Sequence, residues 1–232
     1  MGVRGNRIKD MKSKQIKPPI YYPVSLNIQG KRCVVIGGGK VALRKVKMLL
    51  DCGANVSVTS PKPHPDIAKL SKERAIHLIQ REYETQDLKG AVIAIVCTDV
   101  KEVNRKVADE AKKAGILVNV ADDPEPSDFI IPAFFRRVNL TVAVSTSGVS
   151  PALARKIRTK LEKSFGEEYA SLLSLIGEVR STLKEKGYIV DAEAWQEALD
   201  IDLLIQLVRS GQRKKAKAVL LNKLEACKAE SA

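Results

Sequence analysis

Val34-Val35-Ile36-Gly37-Gly38-Gly39-Lys40-Val41-Ala42 decides the fold. An apolar run enters a glycine turn and leaves it as a helix, with the spacing G-x-G-x-x-A. Gly37 permits the tight turn, Gly39 lets the backbone approach a ligand, and Ala42 lets the helix lie close to the strand. Amides at the start of that helix then form a seat for an anion such as a pyrophosphate. A glycine turn by itself often only turns the chain. Here it sits between the first strand and first helix of a βαβ pattern, the context that makes it a dinucleotide site.

Working outward, Val41, Val46, Leu49 and Leu50 recur near helical spacing, with Arg44, Lys45 and Lys47 off that stripe, and Gly53 suits a left-handed cap. Val56–Thr59 reads as a second strand, followed by a proline-punctuated loop from Ser60 to Pro65. Ile76–Ile79, the fully apolar Ala91–Cys97 and Ile116–Ala121 read as three more strands, and Val103, Val107, Ala111 and Ala114 as a helix between the last two. Buried strands alternating with helices predict a parallel sheet covered on both faces, an α/β Rossmann-like domain over residues 20–135. Beyond it, Leu140–Ser145 alternates like a strand, Ser150-Pro151 suits a helix start, and helices follow at 152–165, 167–186, around Leu203–Val208 and around Ala216–Cys227. The expected organisation is therefore a leader at 1–19, the dinucleotide domain, a small α/β region at 136–166 and a helical C-terminal domain at 167–232.

The fingerprint departs from the usual pattern at one place. An acidic residue about 20 positions on normally binds the ribose hydroxyls. This chain has Thr59, Ser60, Pro61 and Lys62 there, so hydroxyls or backbone would hold the ribose, and Lys62 leaves NAD against NADP open on residues alone. Thr98 and Asp99 follow the fourth strand, where a ligand of an open sheet lies; they border the nicotinamide ribose or cap the next helix. The fifth strand runs into Asn119-Val120-Ala121-Asp122-Asp123-Pro124, which puts carboxylates beside the expected nicotinamide position. Asp122 is a candidate general acid or base there, although Asp-Pro also starts turns.

Composition bounds the partners. The net charge of +13 is concentrated at the ends, +5 over residues 1–19 and +6 over 209–228, which leaves +2 for everything between. A basic leader and a solvated helix face account for it, and no nucleic-acid-binding motif occurs in the middle. No apolar run is long enough to span a membrane, and no secretory pattern opens the chain, so no nucleic-acid or membrane partner and a cytoplasmic location are expected. Cys33, Cys52, Cys97 and Cys227 lie far apart, and His64 and His77 lack a second ligand at useful spacing, so no metal site is expected. None of the five tyrosines has a lysine four residues on, which removes the short-chain dehydrogenase pattern.

Several ordered segments together carry a resemblance. They are Tyr22-Pro23-Val24, Gly37-Gly38-Gly39-x-Val41-Ala42-x-Arg44-Lys45, Asn119-Val120-x-Asp122, Asp128-Phe129-Ile130-x-Pro132-Ala133 and Ser145-Thr146-x-Gly148-x-Ser150-Pro151-x-Leu153-Ala154-Arg155. In this order the chain resembles the precorrin-2 dehydrogenase family, which includes the N-terminal module of siroheme synthase. The resemblance is close over about residues 21–165. It implies NAD-dependent oxidation of precorrin-2 to sirohydrochlorin in a homodimer, with Asp122 handling the proton. It implies Thr146 and Ser147 in a loop beside the tetrapyrrole, and in some members Fe²⁺ insertion into the product. Gly37, Gly38, Gly39, Lys40 and Val41, with Ser60, Pro61, Lys62, Thr98 and Asp99, are then the cofactor residues. Arg136, Arg137 and Arg155 are candidates for the carboxylates of an eight-carboxylate substrate, though a surface Arg is commonly only solvated. Ser147 stands where a glycine is common in the family and Ser127 where a cysteine is frequent. The alternative is a non-catalytic NAD-sensing module, which would bind cofactor without turnover.

Overall fold

A computed structural model of the chain describes residues 19–229, with side chains through residue 226. The leader expected at 1–19 lies outside this range except for its last residue, as does the Cys227 side chain. The strands are β1 (Arg32–Ile36), β2 (Asn55–Thr59), β3 (His77–Ile79), β4 (Ile93–Val96), β5 (Leu117–Val120), β6 (Ala133–Arg137) and β7 (Leu140–Val144). The helices are α1 (Lys40–Leu50), α2 (Pro65–Lys72), α3 (Lys101–Lys113), α4 (Pro151–Ser164), α5 (Glu167–Glu185), α6 (Ala192–Ala198), α7 (Ile201–Arg209) and α8 (Arg213–Ala229).

β1 to β5 form one sheet in the order β3-β2-β1-β4-β5, and every neighbouring pair is parallel. All four residues of β4 are buried. An apolar run in a parallel sheet must be covered on both faces, and this one is. Val35, Ile93 and Ile95 face α1 and α2, packing with Ala42, Val46, Leu49 and Ile67. Val34, Ile36, Ala94 and Val96 face α3 through Val107, Ala108 and Ala111. Burying each large aliphatic side chain stabilises the domain by about 1.5–3 kcal/mol.

The strand order reverses between β1 and β4, because the chain passes from β1 outward through β2 and β3 before returning beside β1. Ligands of such sheets lie in the crevice outside the strand carboxyl ends at that reversal. Register brings those ends level: Ile36 pairs with Thr59 on one side and Val96 on the other, and Val96 pairs with Val120. The turns after β1, β4 and β5 therefore leave from one crest.

Two compact units divide the chain, residues 19–131 with 147–149, and residues 132–146 with 150–229. The boundary expected at residue 135 falls inside β6, which pairs antiparallel with β7 and so joins the second unit. The sequence of β6, Ala-Phe-Phe-Arg-Arg, lacks the alternation that would have marked it. Val138 takes φ +52 in its two-residue hairpin turn. In the same unit Leu172, Leu175, Val179, Leu204, Leu220 and Leu224 form the core of the C-terminal helices.

Candidate functional site

The glycine turn leaves β1 with Gly37 at φ +112, a conformation open to glycine and strained for other residues. A Cβ on Gly37 would meet the Cys97 carbonyl oxygen at 2.5 Å, and one on Gly38 would lie 2.5 Å from Ser60 Oγ and 2.8 Å from Pro63 Cα. These two glycines are there for the fold. Gly39 differs: nothing lies within 4 Å of where its Cβ would stand. It is the N-cap of α1, contributes no side-chain hydrogen bond, and the first turn of the helix carries no acidic residue. Among the described residues no side chain caps the leading amides of α1, and the space beside Gly39 is open. That is a fit for a pyrophosphate, whose charge favours the positive end of the helix dipole. Lys40 and Val41 are exposed in the first turn.

The loop after β2 flanks this turn. Gly37 N donates to Thr59 O (2.9 Å), and His64 N donates to Gly38 O (2.8 Å), so Ser60–His64 is stitched to the glycine turn at both ends. Ser60 is buried while Pro61 and Lys62 are exposed. The prolines belong partly to a helix that the sequence reading treated as loop: Pro65 is the first residue of α2, and His64 Nδ1 accepts from Asp66 N (3.2 Å) as its cap.

Past β4, the Thr98 hydroxyl accepts from Val100 N (3.2 Å) and donates to Asn104 Oδ1 (2.6 Å). Both partners belong to the start of α3. The Thr98 side chain is thus bonded to the residues that open α3 without capping a first-turn amide of the helix, while Asp99 stays exposed.

The acidic turn after β5 is built differently. Val120 and Asp123 form an isolated antiparallel bridge, and between them Asp122 takes φ +61. Asp tolerates this left-handed region better than most residues, yet it remains a cost unless the surroundings enforce it. Ser127 supplies the enforcement: its Oγ accepts from Val120 N (2.9 Å) and donates to Asp123 O (2.7 Å). Asp128 continues along the free edge of β5, its Oδ2 accepting from Val118 N (3.0 Å), its own amide donating to Val118 O (2.8 Å), and Asn119 Nδ2 donates to Phe129 O (2.9 Å). This segment satisfies an edge strand that would otherwise be open to pairing. Asp122 itself is exposed on the turn. Ala121 N donates to Val96 O (2.8 Å), which ties the acidic turn to β4, and the Cys97 carbonyl lies against Gly37. The glycine turn and Asp122 hence share the crest on either side of the β4 end.

The sequence reading missed Lys45. Spacing put it off the buried stripe of α1, but it is half-buried on the stripe's flank and within electrostatic range of Asp122. Burial pushes its ammonium below the ordinary lysine value, Cys97 and Asp122 pull it back up, and Arg44 opposes them. Burial raises the Cys97 thiol to about 11. No signal in a single sequence separates such a flank position from a solvated one.

The remaining candidates are distributed between the units. Ser147, at φ +51, groups with the first unit, whereas Thr146, Arg136, Arg137 and Arg155 belong to the second. Thr146 Oγ1 accepts from Ser150 N (3.1 Å), and Ser150 Oγ accepts from Leu153 N (3.3 Å), so the loop doubles as the cap of α4. Arg137 is committed to Glu167 (3.1 Å) and Glu162 (3.7 Å) and lies over the Phe135 ring, a structural role that weakens its claim on substrate. Arg136 and Arg155 are exposed. Among the described residues no cluster of three or more His, Cys, Asp or Glu is arranged to hold a metal ion, and no helix is long and apolar enough to cross a membrane.

Comparison with known proteins follows the same division. Residues 24–133 match a family described as putative NAD(P)-binding, and residues 137–164 one described as the central part of sirohaem biosynthesis proteins. The siroheme synthase of Methylobacillus flagellatus is 41% identical over 164 residues, 71% of this chain and 35% of that one. That of Chromobacterium violaceum is 36% identical over 214 residues, 91% of this chain and 45% of the other. The chain thus spans less than half the length of these relatives. A solved structure titled "SirC, precorrin-2 dehydrogenase" superposes with a TM-score of 0.68 at 25% identity, covering 89% of this chain and all of that one.

Proposed function

The chain belongs to the precorrin-2 dehydrogenase family, with an NAD-binding domain at its N-terminal side, and on that premise we propose that it oxidises precorrin-2 to sirohydrochlorin with NAD⁺ as acceptor. One observation carries the proposal: the open, uncapped start of α1 and the strained Asp122 turn leave the same crest of one parallel sheet, on either side of the reversal in strand order.

Bound NAD⁺ supplies the hydride acceptor, and the protein supplies orientation and proton removal. The leading amides of α1 hold the pyrophosphate, and the loop from Ser60 to Lys62 borders the adenosine ribose. Asp122 takes the proton that leaves the macrocycle as the hydride departs. A base so placed contributes typically 10²–10⁴-fold. Arg136 and Arg155 are the cations we assign to the substrate carboxylates, with Thr146 and Ser147 in the loop beside the macrocycle. Arg137 is the weakest of the original three because its ion pairs already occupy it.

We further infer a homodimer built through the second unit. Leu153 and Ile157, one turn apart on α4, are 50% and 38% exposed, an apolar stripe suited to burial against a second copy. The cytoplasm suits the reduced thiols of Cys33 and Cys97. In some members Fe²⁺ insertion follows oxidation, with iron as substrate, and an insertion assay on sirohydrochlorin without NAD⁺ tests for it here.

Purified protein given precorrin-2 and NAD⁺ should form NADH in step with the sirohydrochlorin absorption spectrum. NAD binding with no NADH formed would favour the sensing module instead.

A further inference from the structure

The end of the sheet opposite the crest holds a concave surface that oxidation does not use. A cleft of about 630 Å³ opens at the amino ends of β1, β2 and β3. Its polar lining is Arg32, Asn55, Ser57, Ser71, Arg74 and His77, and none of the lining side chains is acidic. Strand register explains the grouping. Arg32 lies level with Asn55, and Val34, Ser57 and His77 lie level on three neighbouring strands. Residues level on paired strands share a face, as do residues two apart on one strand. Arg32, Asn55, Ser57 and His77 therefore project on the face of Val34, while Val56, Val58 and Leu78 pack on the other. Arg74 arrives from the connection between α2 and β3.

Two guanidinium charges in this cleft are unbalanced. Among the described residues no carboxylate lies within 4.0 Å of Arg32 or Arg74. Arg32 Nη2 donates to the Asp87 carbonyl oxygen (3.1 Å), which fixes the group without neutralising it, and Nε is buried with no partner. A partly desolvated cation without a counter-charge is costly, and a bound anion offsets that cost. Arg74 is held against its backbone preference. Its amide donates to Ser71 O and that of Ala75 to Leu70 O (both 3.0 Å), closing α2 in the manner usually completed by glycine, and Arg74 takes φ +59. An arginine kept in that conformation is a reason to ask what its charge does. Ser57, only 5% exposed, sets a hydroxyl between the buried Val56 and Val58.

We propose that this cleft is an oxyanion site, taking either the phosphate of a small phosphomonoester or free inorganic phosphate. Guanidinium forks match phosphate oxygens in geometry and charge. The His77 ring and the Ser57 and Ser71 hydroxyls add further donors. The volume falls in the range of small-molecule sites, about 300–1,000 Å³, which leaves room for the organic part of an ester. The four-residue rise of β1 from Arg32 to Ile36, about 13 Å, separates the cleft from the glycine turn, so its ligand and a dinucleotide bind together. The site stands independently of the oxidation reading.

Titration calorimetry in excess NAD⁺, with inorganic phosphate, glycerol 3-phosphate and citrate in turn, tests the site. The two phosphate probes should each bind one to one. Arg74→Gly should weaken that binding about 10-fold, with the melting temperature unchanged or raised because glycine suits the φ. Arg32→Met, which keeps the stem and removes the charge, should weaken it by about as much. NAD affinity should be unchanged in both variants, which separates this site from the crest. Citrate, an anion without the tetrahedral phosphate, should bind about 10-fold more weakly than phosphate or worse. Tighter binding of glycerol 3-phosphate identifies an ester as the source, and tighter binding of phosphate the free ion; either supports the site. No binding of either phosphate probe, citrate binding as tightly as phosphate, or parental phosphate affinity in Arg74→Gly overturns the proposal.

Discussion

Two turns stand on the same crest and solve opposite problems. Gly37–Gly39 removes side chains so that backbone is laid bare: two glycines pack against Cys97, Ser60 and Pro63, and the third faces empty space. The turn at Asp122 keeps its side chain at the expense of backbone strain, with φ +61 held in place by the hydroxyl of Ser127. A glycine would sit there more comfortably. That the chain instead carries a carboxylate in a conformation favouring glycine is a reason, independent of resemblance, to look for chemistry at Asp122. In this chain the turn that lays backbone bare relaxes into glycine, while the turn that carries the carboxylate keeps its side chain.

The contrast can be broken at either end. The largest expected effect belongs to Asp122→Asn, which leaves the shape of its turn and should lower turnover by 10²–10⁴-fold with NAD affinity retained, measured by steady-state kinetics and NAD titration. Unchanged turnover would make Asp122 a turn residue. At the other turn, Gly39→Asp puts an anion into open space where the phosphates sit. We expect NAD affinity to drop about 100-fold, roughly 2.7 kcal/mol, with the melting temperature nearly unchanged because the new Cβ meets nothing. A variant that still bound NAD normally would move the pyrophosphate elsewhere.

Smaller effects sharpen the distinction. Ser127→Ala removes two hydrogen bonds from the acidic turn and should destabilise the protein by about 1–3 kcal/mol, as seen in denaturant unfolding, with a loss of turnover but no change in NAD affinity. The smallest change in stability belongs to Asp122→Gly, which should stabilise the fold by several tenths of a kcal/mol while losing turnover to the same extent as Asp122→Asn, a trade that the glycine turn does not offer. If Asp122→Gly were destabilising, the strain assigned to φ +61 would be absent.

The sequence made these two turns unequally legible. The glycine turn announces itself because an apolar run, three glycines and a 3.6-residue stripe are all local, and the structure places β1 and α1 within a residue or two of where the pattern put them. The parallel sheet follows from the same logic, since doubly buried strands such as Ile93–Val96 have no polar face to interrupt them. Asp122 was legible as a residue but not as a strained one, because its dihedral is set by Ser127 five positions later. α2 was hidden by prolines that read as loop, although Pro65 merely starts the helix and a single residue, Ile67, is buried beneath it. Lys45 was the deepest omission: its environment is made by β4 and the end of β5, 52 and 77 positions away, and periodicity within one helix carries no trace of either.

The bare start of α1 has one more outcome. Backbone amides neither gain nor lose protons over the range in which proteins stay folded, so a grip made of them has no acid or base limb of its own. NAD affinity should run flat across that range, and whatever slope the turnover shows against pH then reports on the groups around Asp122 and on the substrate's own carboxylates, not on the cofactor's seat.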